Sequence, residues 1–145
     1  MDDRTVSAAA DTRRTALAFL HAYWRGDLAA IHELVASTAI IELPRSTPLP
    51  SPAPLLDVIP LIFEQAYPRF RDRRFDIAVE RCVIDDRVAL VEYQATGTLV
   101  SGRTFCCRYL VVLAVEGGRI VRFRPYTDTK YIDAELFSPP SPAAC

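Results

Sequence analysis

The second half of the chain holds four long segments rich in β-branched and aromatic residues, and these segments constrain the fold more than any other feature. They cover residues 75–84, 87–98, 103–115 and 119–127. The sequences between them include Asp85-Asp86, Ser101-Gly102 and Gly117-Gly118, which are typical of tight turns. The pattern therefore predicts strands joined by three successive antiparallel hairpins.

The first half of the chain shows helical periodicity instead. Apolar residues over 12–24 recur every three to four positions, which predicts an amphipathic helix that ends at Gly26. Asp27 is expected to cap a second, shorter helix that includes Leu34. A short strand is expected over 39–43.

Prolines shape the middle of the chain. Five of them lie within 44–54, a density that excludes a regular element and predicts a stiff surface loop. Asp57 is expected to cap a third helix over 58–67, with Pro60 in its first turn and Pro68 after its end. Helices followed by a meander predict an α+β domain in which the helices pack on one face of a curved antiparallel sheet and enclose a cone-shaped pocket.

Length and charge limit the possible partners. With 145 residues, half of them hydrophobic, the chain fits one domain, which we expect to span 12–132 between mobile tails at 1–11 and 133–145. The net charge of −1 and the scattered arginines disfavour nucleic acid. No apolar run approaches the roughly 20 residues of a membrane span. No secretory leader is evident either, so we expect a cytoplasmic location.

Cysteines and histidines give no sign of a metal site, because CxxC, HxxxH and HExxH spacings are absent. Cys106 and Cys107 are neighbours in a predicted strand and point to opposite faces, which, with the isolated Cys82 and Cys145, favours reduced thiols. His21 has no acid–base partner at a telling spacing. We therefore expect neither a metal nor another cofactor.

Five short motifs follow one another in a distinctive order over residues 12–132. They are the run 19–28 with its Gly-Asp turn, Glu42-Leu43-Pro44, the run 91–98, Arg108-Tyr109 and the run 118–129. Their order and spacing resemble the SnoaL-like, or ketosteroid-isomerase-like, group of the nuclear transport factor two superfamily. The resemblance implies a cone-shaped α+β barrel, usually a dimer, with a pocket for a small apolar molecule. It implies no single reaction.

The resemblance also indicates which catalytic groups are missing. The tyrosine, the base and the second acid of the isomerases fall on Phe19, Leu43 and Val111. The Arg–Asp–Asp set of the limonene epoxide hydrolases, which share the fold, falls on Glu92, Gln94 and Pro125. Neither set of acids is intact. A one-residue difference between the two alignments leaves open whether Glu42 or Leu43 faces the pocket.

The alternation of each strand predicts which side chains share a face. With the faces that the resemblance implies, the inward residues are Glu92, Gln94, Thr96, Cys107, Tyr109, Val111, Leu113, Phe123, Pro125 and Thr127. Glu92 would then be the single carboxylate in an apolar cone, where lost hydration makes it a usable general base or acid. The alternative is a Glu92 that pairs with Arg108 or Arg122 at a rim or dimer contact.

Two catalytic residues and a set of lining residues follow from this arrangement. Glu92 would move a proton, and Tyr109 would polarise a substrate oxygen or hold Glu92 in place. The substrate-binding residues would be Phe19, Tyr23, Leu43, Phe63, Gln94, Cys107, Val111, Phe123, Pro125 and Thr127. Asp128, at the end of the last strand, is expected to cap or pair, and the arginines at 69, 71, 73 and 74 are expected to form a solvated loop.

Three functions are compatible with these residues. The first is a cofactor-free isomerase, cyclase or hydrolase that transfers a proton on an apolar metabolite bearing a carbonyl or an epoxide. The second is a ligand-binding module without catalysis, and the third is a dimerising accessory domain whose pocket is filled by its own side chains. A cavity of roughly 300 Å³ or more, with Glu92 at its floor, would favour the first two. Outward apolar residues such as Leu110, Val112 and Ala114 predict a homodimer through the outer sheet face.

Overall fold

The computed structural model describes residues 3–137, apart from the side chain of Thr5. Its helices are α1 (Asp3–Arg25), α2 (Leu28–Leu34), α3 (Leu55–Gln65) and α4 (Thr129–Ile132), and its strands are β1 (Val35–Ile41), β2 (Ala53–Pro54), β3 (Phe70–Asp85), β4 (Val88–Leu99), β5 (Thr104–Glu116) and β6 (Arg119–Thr127). A 3₁₀ turn, Tyr67–Arg69, follows α3, and a π-helical turn, Asp133–Phe137, follows α4. Most of the predicted C-terminal tail, with Cys145, lies outside the described residues. Within them, no helix is long and apolar enough to cross a membrane.

The six strands form one curved, mixed sheet in the order β2-β1-β6-β5-β4-β3. The three predicted hairpins are confirmed, because β3, β4, β5 and β6 pair antiparallel in sequence order. The prediction of a purely antiparallel sheet is wrong at one pair. β1 runs parallel to β6, with Ile41 beside Phe123. The meander of three hairpins leaves one edge of β6 unpaired, and β1 fills that edge in the same chain direction as β6. The sheet is also open, with β2 and β3 at its edges, rather than closed into a barrel.

Helix α1 lies across the concave face of the sheet and buries Phe19 and Leu20 completely. It begins at Asp3, whereas the sequence predicts a tail up to residue 11 and a helix from Thr12. The first turns are exposed, so no apolar periodicity reveals them, and their alanine-rich sequence favours a helix. The Thr12 hydroxyl lies 3.0 Å from the Asp86 carbonyl, which ties the helix to the β3–β4 turn.

The starts of the next two helices agree with the sequence in one case and differ in the other. The Asp27 carboxylate accepts a hydrogen bond from the Ala30 backbone N–H at 3.1 Å, which confirms the predicted cap of α2 and lowers the pKa of that carboxyl. Helix α3 begins directly after Pro54, which takes the cap position in place of Asp57. Pro60 therefore lies in the second turn, where it removes one backbone hydrogen bond.

The arginine-rich segment after α3 belongs to β3 and is not the loop that the sequence predicts. Its register with β4 shifts between Phe70 and Phe75, and Asp72 and Arg73 adopt left-handed φ angles of 56° and 52°. The side chains of this bulge remain exposed, so the charge pattern indicated solvation correctly but not backbone conformation. A Cβ at Gly97 of β4 would lie 2.8 Å from the Phe70 ring, so the ring approaches a position that only glycine can occupy.

Candidate functional site

A cavity of about 70 Å³ lies between the concave sheet face and the helices. Its floor is aromatic and consists of Tyr23, Trp24, Tyr67, Tyr93, Tyr109 and Phe123. Two irregular segments border it, namely residues 43–49 of the proline-rich loop and residues 129–137 after β6. The loop has no regular structure before β2, as its prolines predict.

The sheet register brings two tyrosines together at this floor. Tyr93 on β4 and Tyr109 on β5 are direct cross-strand partners, and their rings stack with centroids 5.2 Å apart. Trp24 on α1 packs edge-on against both rings, at centroid distances of 6.0 Å and 5.2 Å. Its indole N–H donates to the Tyr93 hydroxyl at 2.9 Å. Ring packing and a buried hydrogen bond therefore hold the floor together.

Tyr23 follows Phe19 by one helical turn and brings a further phenol to the cavity. Its ring centroid lies 5.9 Å from that of Phe63 and 5.7 Å from that of Phe123, and the residue is only 9% exposed. The Tyr67 hydroxyl donates to the backbone carbonyl of Tyr23. Within residues 3–137, no protein group forms a hydrogen bond with the Tyr23 hydroxyl itself.

Thr127, at the end of β6, contributes an aliphatic hydroxyl to the cavity. This hydroxyl donates to the Arg108 carbonyl at 2.8 Å and lies 3.0 Å from the Cys107 sulfur. Burial raises the pKa of the Cys107 thiol. The thiol therefore stays protonated at neutral pH. Because a nucleophilic cysteine has to be a thiolate, we assign Cys107 a packing role behind the cavity and not a nucleophilic one.

Burial also raises the pKa of the four tyrosines that line the cavity, Tyr23, Tyr67, Tyr93 and Tyr109. All four keep their protons at neutral pH and can donate hydrogen bonds. Among the described residues that line the cavity, Asp133 is the single charged side chain, and it lies at the exposed border. Residues 3–137 contain no group of three or more His, Cys, Asp or Glu that could hold a metal ion. The cavity thus offers apolar rings and neutral donors.

Glu92 does not face the cavity, which corrects the prediction of a carboxylate at its floor. The inward row of β4 consists of Ala89, Val91, Tyr93 and Ala95. Glu92 lies beside Leu110 of β5 on the outer face, together with Gln94, whose amide donates to the exposed Cys106 sulfur at 2.7 Å. Alternation separated the two faces of β4 correctly, but the family resemblance assigned them the wrong way round. The apolar character of the inward row was the signal that could have identified it.

The other predicted site residues fall into two groups. Those that line the cavity are Tyr23, Leu43, Tyr109, Phe123, Pro125 and Thr127. Those that are buried in the layer behind it are Phe19, Phe63, Cys107 and Val111. The sequence interpretation missed Trp24, Tyr67 and Tyr93. It also missed the segment after β6, where Leu136 is buried against the cavity at a position predicted to be a tail.

The structure decides two alternatives that the sequence left open, and both concern residues at the ends of strands. Leu43 lines the cavity, whereas the Glu42 carboxylate accepts a hydrogen bond from Arg124 at 3.1 Å outside it. Asp128 accepts a hydrogen bond from the Tyr131 backbone N–H at 3.1 Å and caps α4. The expected capping role of Asp128 is therefore confirmed.

Solved structures with the same fold cover most of the chain. A proposed SnoaL-like polyketide cyclase from Jannaschia sp. CCS1 has a TM-score of 0.72 at 14% identity, over 92% of this chain and 96% of that one. IdmH, a proposed polyketide cyclase from Streptomyces antibioticus, has a TM-score of 0.67 at 24% identity, over 86% and 96%. An LEH-like epoxide hydrolase from M. tuberculosis has a TM-score of 0.66 at 17% identity, over 88% and 90%. At these identities the likeness shows the fold alone.

These structures and an NTF2-like protein from Burkholderia pseudomallei, with a TM-score of 0.71 at 19% identity over 88% of this chain and 98% of that one, define the fold class as NTF2-like. The SnoaL-like domain family matches residues 16–123. The chain therefore belongs to the SnoaL-like family. This is a family of small-molecule-binding proteins, and membership specifies no single activity. No curated protein matches the chain.

Proposed function

We propose that this protein binds a small apolar molecule with a carbonyl or another oxygen group in the aromatic cavity. The observation that carries the proposal is the lining, in which rings surround the space and the polar groups include the neutral hydroxyls of Tyr23, Tyr109 and Thr127. Pockets of this kind gain affinity from apolar burial and orientation from a few polar groups. Glu92 has no part in the proposal, since it lies on the other sheet face.

A cofactor-free isomerase, cyclase or hydrolase is the second candidate. Structural neighbours that are named as cyclases and as an epoxide hydrolase support it. So does Tyr109, whose protonated hydroxyl is a suitable donor to an oxygen that gains negative charge. The proton acceptor would be Asp133, the carboxylate at the border of the cavity. Binding alone needs none of this chemistry and is the function we favour.

The cavity volume sets the size of the ligand. About 70 Å³ is well below the roughly 300 Å³ at which pockets for drug-sized ligands begin, so a larger ligand requires the two bordering segments to separate. The segment after β6 is held by Tyr131, whose hydroxyl accepts from the Cys106 backbone N–H at 3.0 Å, and by an ion pair between Arg103 and Glu135. A domain whose pocket is filled by its own side chains would show an equally small cavity. A binding experiment distinguishes such a filled core from a ligand pocket.

One-ring ketones, alcohols and ethers are expected to bind the wild-type protein in an NMR titration. Leu43→Trp should weaken binding on the order of tenfold, because the larger side chain enters the space of the ligand at the cavity border. Val6→Trp is the matched control, since Val6 is 53% exposed near the start of α1, about four to five helical turns before Tyr23. Absence of binding, or equal affinity of the two variants, would contradict the pocket. Turnover that Asp133→Asn abolishes would favour the enzyme instead.

We also propose that two copies of the chain associate through the outer sheet face. Its exposed apolar residues are Val83 (47%), Leu90 (37%), Leu110 (43%) and Tyr126 (48%). Charged side chains of both signs border these residues. They include the ion pairs of Arg108 with Glu80 at 3.2 Å and of Arg124 with Glu42 at 3.1 Å. An apolar row with a rim of mixed charge suits a two-fold interface, in which the same patch contacts itself.

Sedimentation at micromolar concentration is expected to show a dimer. Leu110→Asp should convert it to a monomer, because the new carboxylate would be buried in the interface without a partner. Val100→Asp introduces the same charge at an exposed turn and should leave the dimer intact. A wild-type protein that sediments as a monomer would exclude this interface.

A further inference from the structure

We infer that the cavity selects an uncharged ring compound whose acceptor oxygen receives a hydrogen bond from the Tyr23 hydroxyl. The inference rests on the binding function proposed above. It deepens that function by naming the class of ligand and the residue that determines it.

Tyr23 is a buried residue at the wall of the cavity. The residue is more than nine-tenths buried and lines the cavity, and within residues 3–137 its hydroxyl has no hydrogen-bond partner. Buried polar side-chain atoms nearly always have a partner in the protein or in an ordered molecule beside it. The Tyr23 hydroxyl is not one of the fully enclosed atoms without a partner, so it is accessible, and a ligand acceptor in the cavity can supply the missing partner.

Neighbouring hydroxyls at the cavity form hydrogen bonds within the protein. The Tyr67 hydroxyl donates to the Tyr23 backbone carbonyl, and the Tyr93 hydroxyl accepts from the Trp24 indole N–H at 2.9 Å. Thr127 donates its proton to the Arg108 carbonyl at 2.8 Å. The Tyr109 hydroxyl is hydrogen-bonded to the Cys107 thiol. Each of these hydroxyls thus has a partner within the protein, whereas the Tyr23 hydroxyl has none among residues 3–137.

The charge around the cavity disfavours an anionic ligand. Among the described residues that line the cavity there is no Lys, Arg or His, and the single charge is the Asp133 carboxylate at the border. An anionic ligand would lose its hydration without a compensating cation and would also meet that carboxylate. Burial raises the pKa of Tyr23, so its hydroxyl remains a donor over the physiological range. The matching ligand group is a neutral acceptor such as a ketone oxygen.

The surroundings of Tyr23 define the rest of the ligand. The rings of Phe63, Tyr67 and Phe123 lie 5.9, 6.3 and 5.7 Å from the Tyr23 ring, measured between centroids. A ligand oxygen at the Tyr23 hydroxyl is therefore attached to a body that packs among aromatic side chains. An apolar ring satisfies this environment, because such packing favours carbon surface over polar groups.

Three probes of similar shape test the inference: cyclopentanone, methylenecyclopentane, in which a CH₂ group replaces the oxygen, and cyclopentanecarboxylate. NMR titrations are carried out on wild type, Tyr23→Phe and the control Tyr126→Phe, whose side chain is half-exposed on the outer face. Wild type and Tyr126→Phe should bind the ketone about tenfold more tightly than the alkene, the ratio expected for one hydrogen bond. Tyr23→Phe should remove this preference, and the carboxylate should bind most weakly to all three proteins.

The outcomes separate this inference from the proposed function. A ketone preference that persists in Tyr23→Phe, or tightest binding of the carboxylate, overturns the inference while the pocket stands. If none of the three probes binds the wild-type protein, both the inference and the proposed function are overturned. The carbonyl stretch of bound cyclopentanone in wild type is a second measurement, independent of the variant. It should shift to lower frequency, and an unshifted band would overturn the assignment of Tyr23.

Discussion

Above pH 10 the protein is expected to unfold within a narrow pH interval. Burial raises the pKa of Tyr23, Tyr67, Tyr93 and Tyr109 above the ordinary value of 10.0. In the unfolded chain these groups lose their protons near that value. The folded state then binds more protons than the unfolded state, so stability falls as the pH rises. Below pH 10 both states hold all four protons, and stability does not depend on them.

The size of the effect follows from the number of groups. Each tyrosine contributes a slope of about 1.4 kcal/mol per pH unit, and the four together contribute about 5 kcal/mol per unit. A stability of about 5–15 kcal/mol would be lost within roughly one to three units. Tyrosinate absorbance and far-ultraviolet circular dichroism should change together in an alkaline titration. Gradual ionisation of these tyrosines with intact circular dichroism would contradict a buried floor.

Two variants divide this alkaline effect among its groups. Tyr23→Phe removes a hydroxyl without a protein partner, so stability at neutral pH should change little while the alkaline slope falls by about a quarter. Tyr67→Phe should reduce the slope equally, but it also removes the hydrogen bond to the Tyr23 carbonyl, which costs about 1 kcal/mol at neutral pH. Unchanged slopes in both variants would show that these tyrosines do not cause the transition.

Trp24→Ala is expected to cause the largest loss of stability of any single substitution in the cavity floor, about 3–5 kcal/mol. The side chain is 6% exposed and contacts the rings of Tyr23, Phe75, Tyr93 and Tyr109. Its removal leaves a void between α1 and the sheet that these rings cannot fill without moving. Chemical denaturation at neutral pH, with Val100→Ala as the exposed control, measures the loss. A change below about 1 kcal/mol would mean that the floor repacks freely.

A double-mutant cycle separates packing from hydrogen bonding at the same position. Trp24→Phe keeps an aromatic ring but leaves the buried Tyr93 hydroxyl without its donor, which adds about 1–3 kcal/mol to the packing loss. Combining Trp24→Phe with Tyr93→Phe removes both partners and should recover part of that cost. A double variant less stable than the sum of the two single changes would contradict the role of this hydrogen bond.

Local signals in the sequence were sufficient for most of the elements. Gly117-Gly118 and Asp85-Asp86 marked turns between strands that alternate over many residues, and the hairpins formed where they were predicted. The cap at Asp27 could also be predicted, because a side chain that bonds a backbone N–H three residues away needs no tertiary contact. Elements without such a signal were missed. The start of α1 is exposed and carries no apolar stripe to detect.

The site was harder to predict, because its residues depend on which sheet face turns inward. Tyr109 and Phe123 were placed correctly, since the apolar rows of their strands agree with the family resemblance. Glu92 was placed on the wrong face because a shift of one residue in the alignment of a strand exchanges its inward and outward side chains. Its neighbour Tyr93 occupies the floor instead. Leu136 was missed because its burial comes from a contact with the cavity and not from a local pattern.

The sequence alone determined the α+β class, the three hairpins, the proline-rich loop and the absence of the family's acids at Phe19, Leu43, Val111 and Pro125. These properties depend on neighbouring residues or on residue identity. The tertiary structure alone decided that β1 pairs with the end of the meander, that the segment after β6 borders the cavity, and that the cavity floor is aromatic and free of carboxylates. The reason is physical: the orientation of a strand face and the packing of a distant segment minimise exposed apolar surface of the whole chain, and no local sequence pattern specifies that minimum.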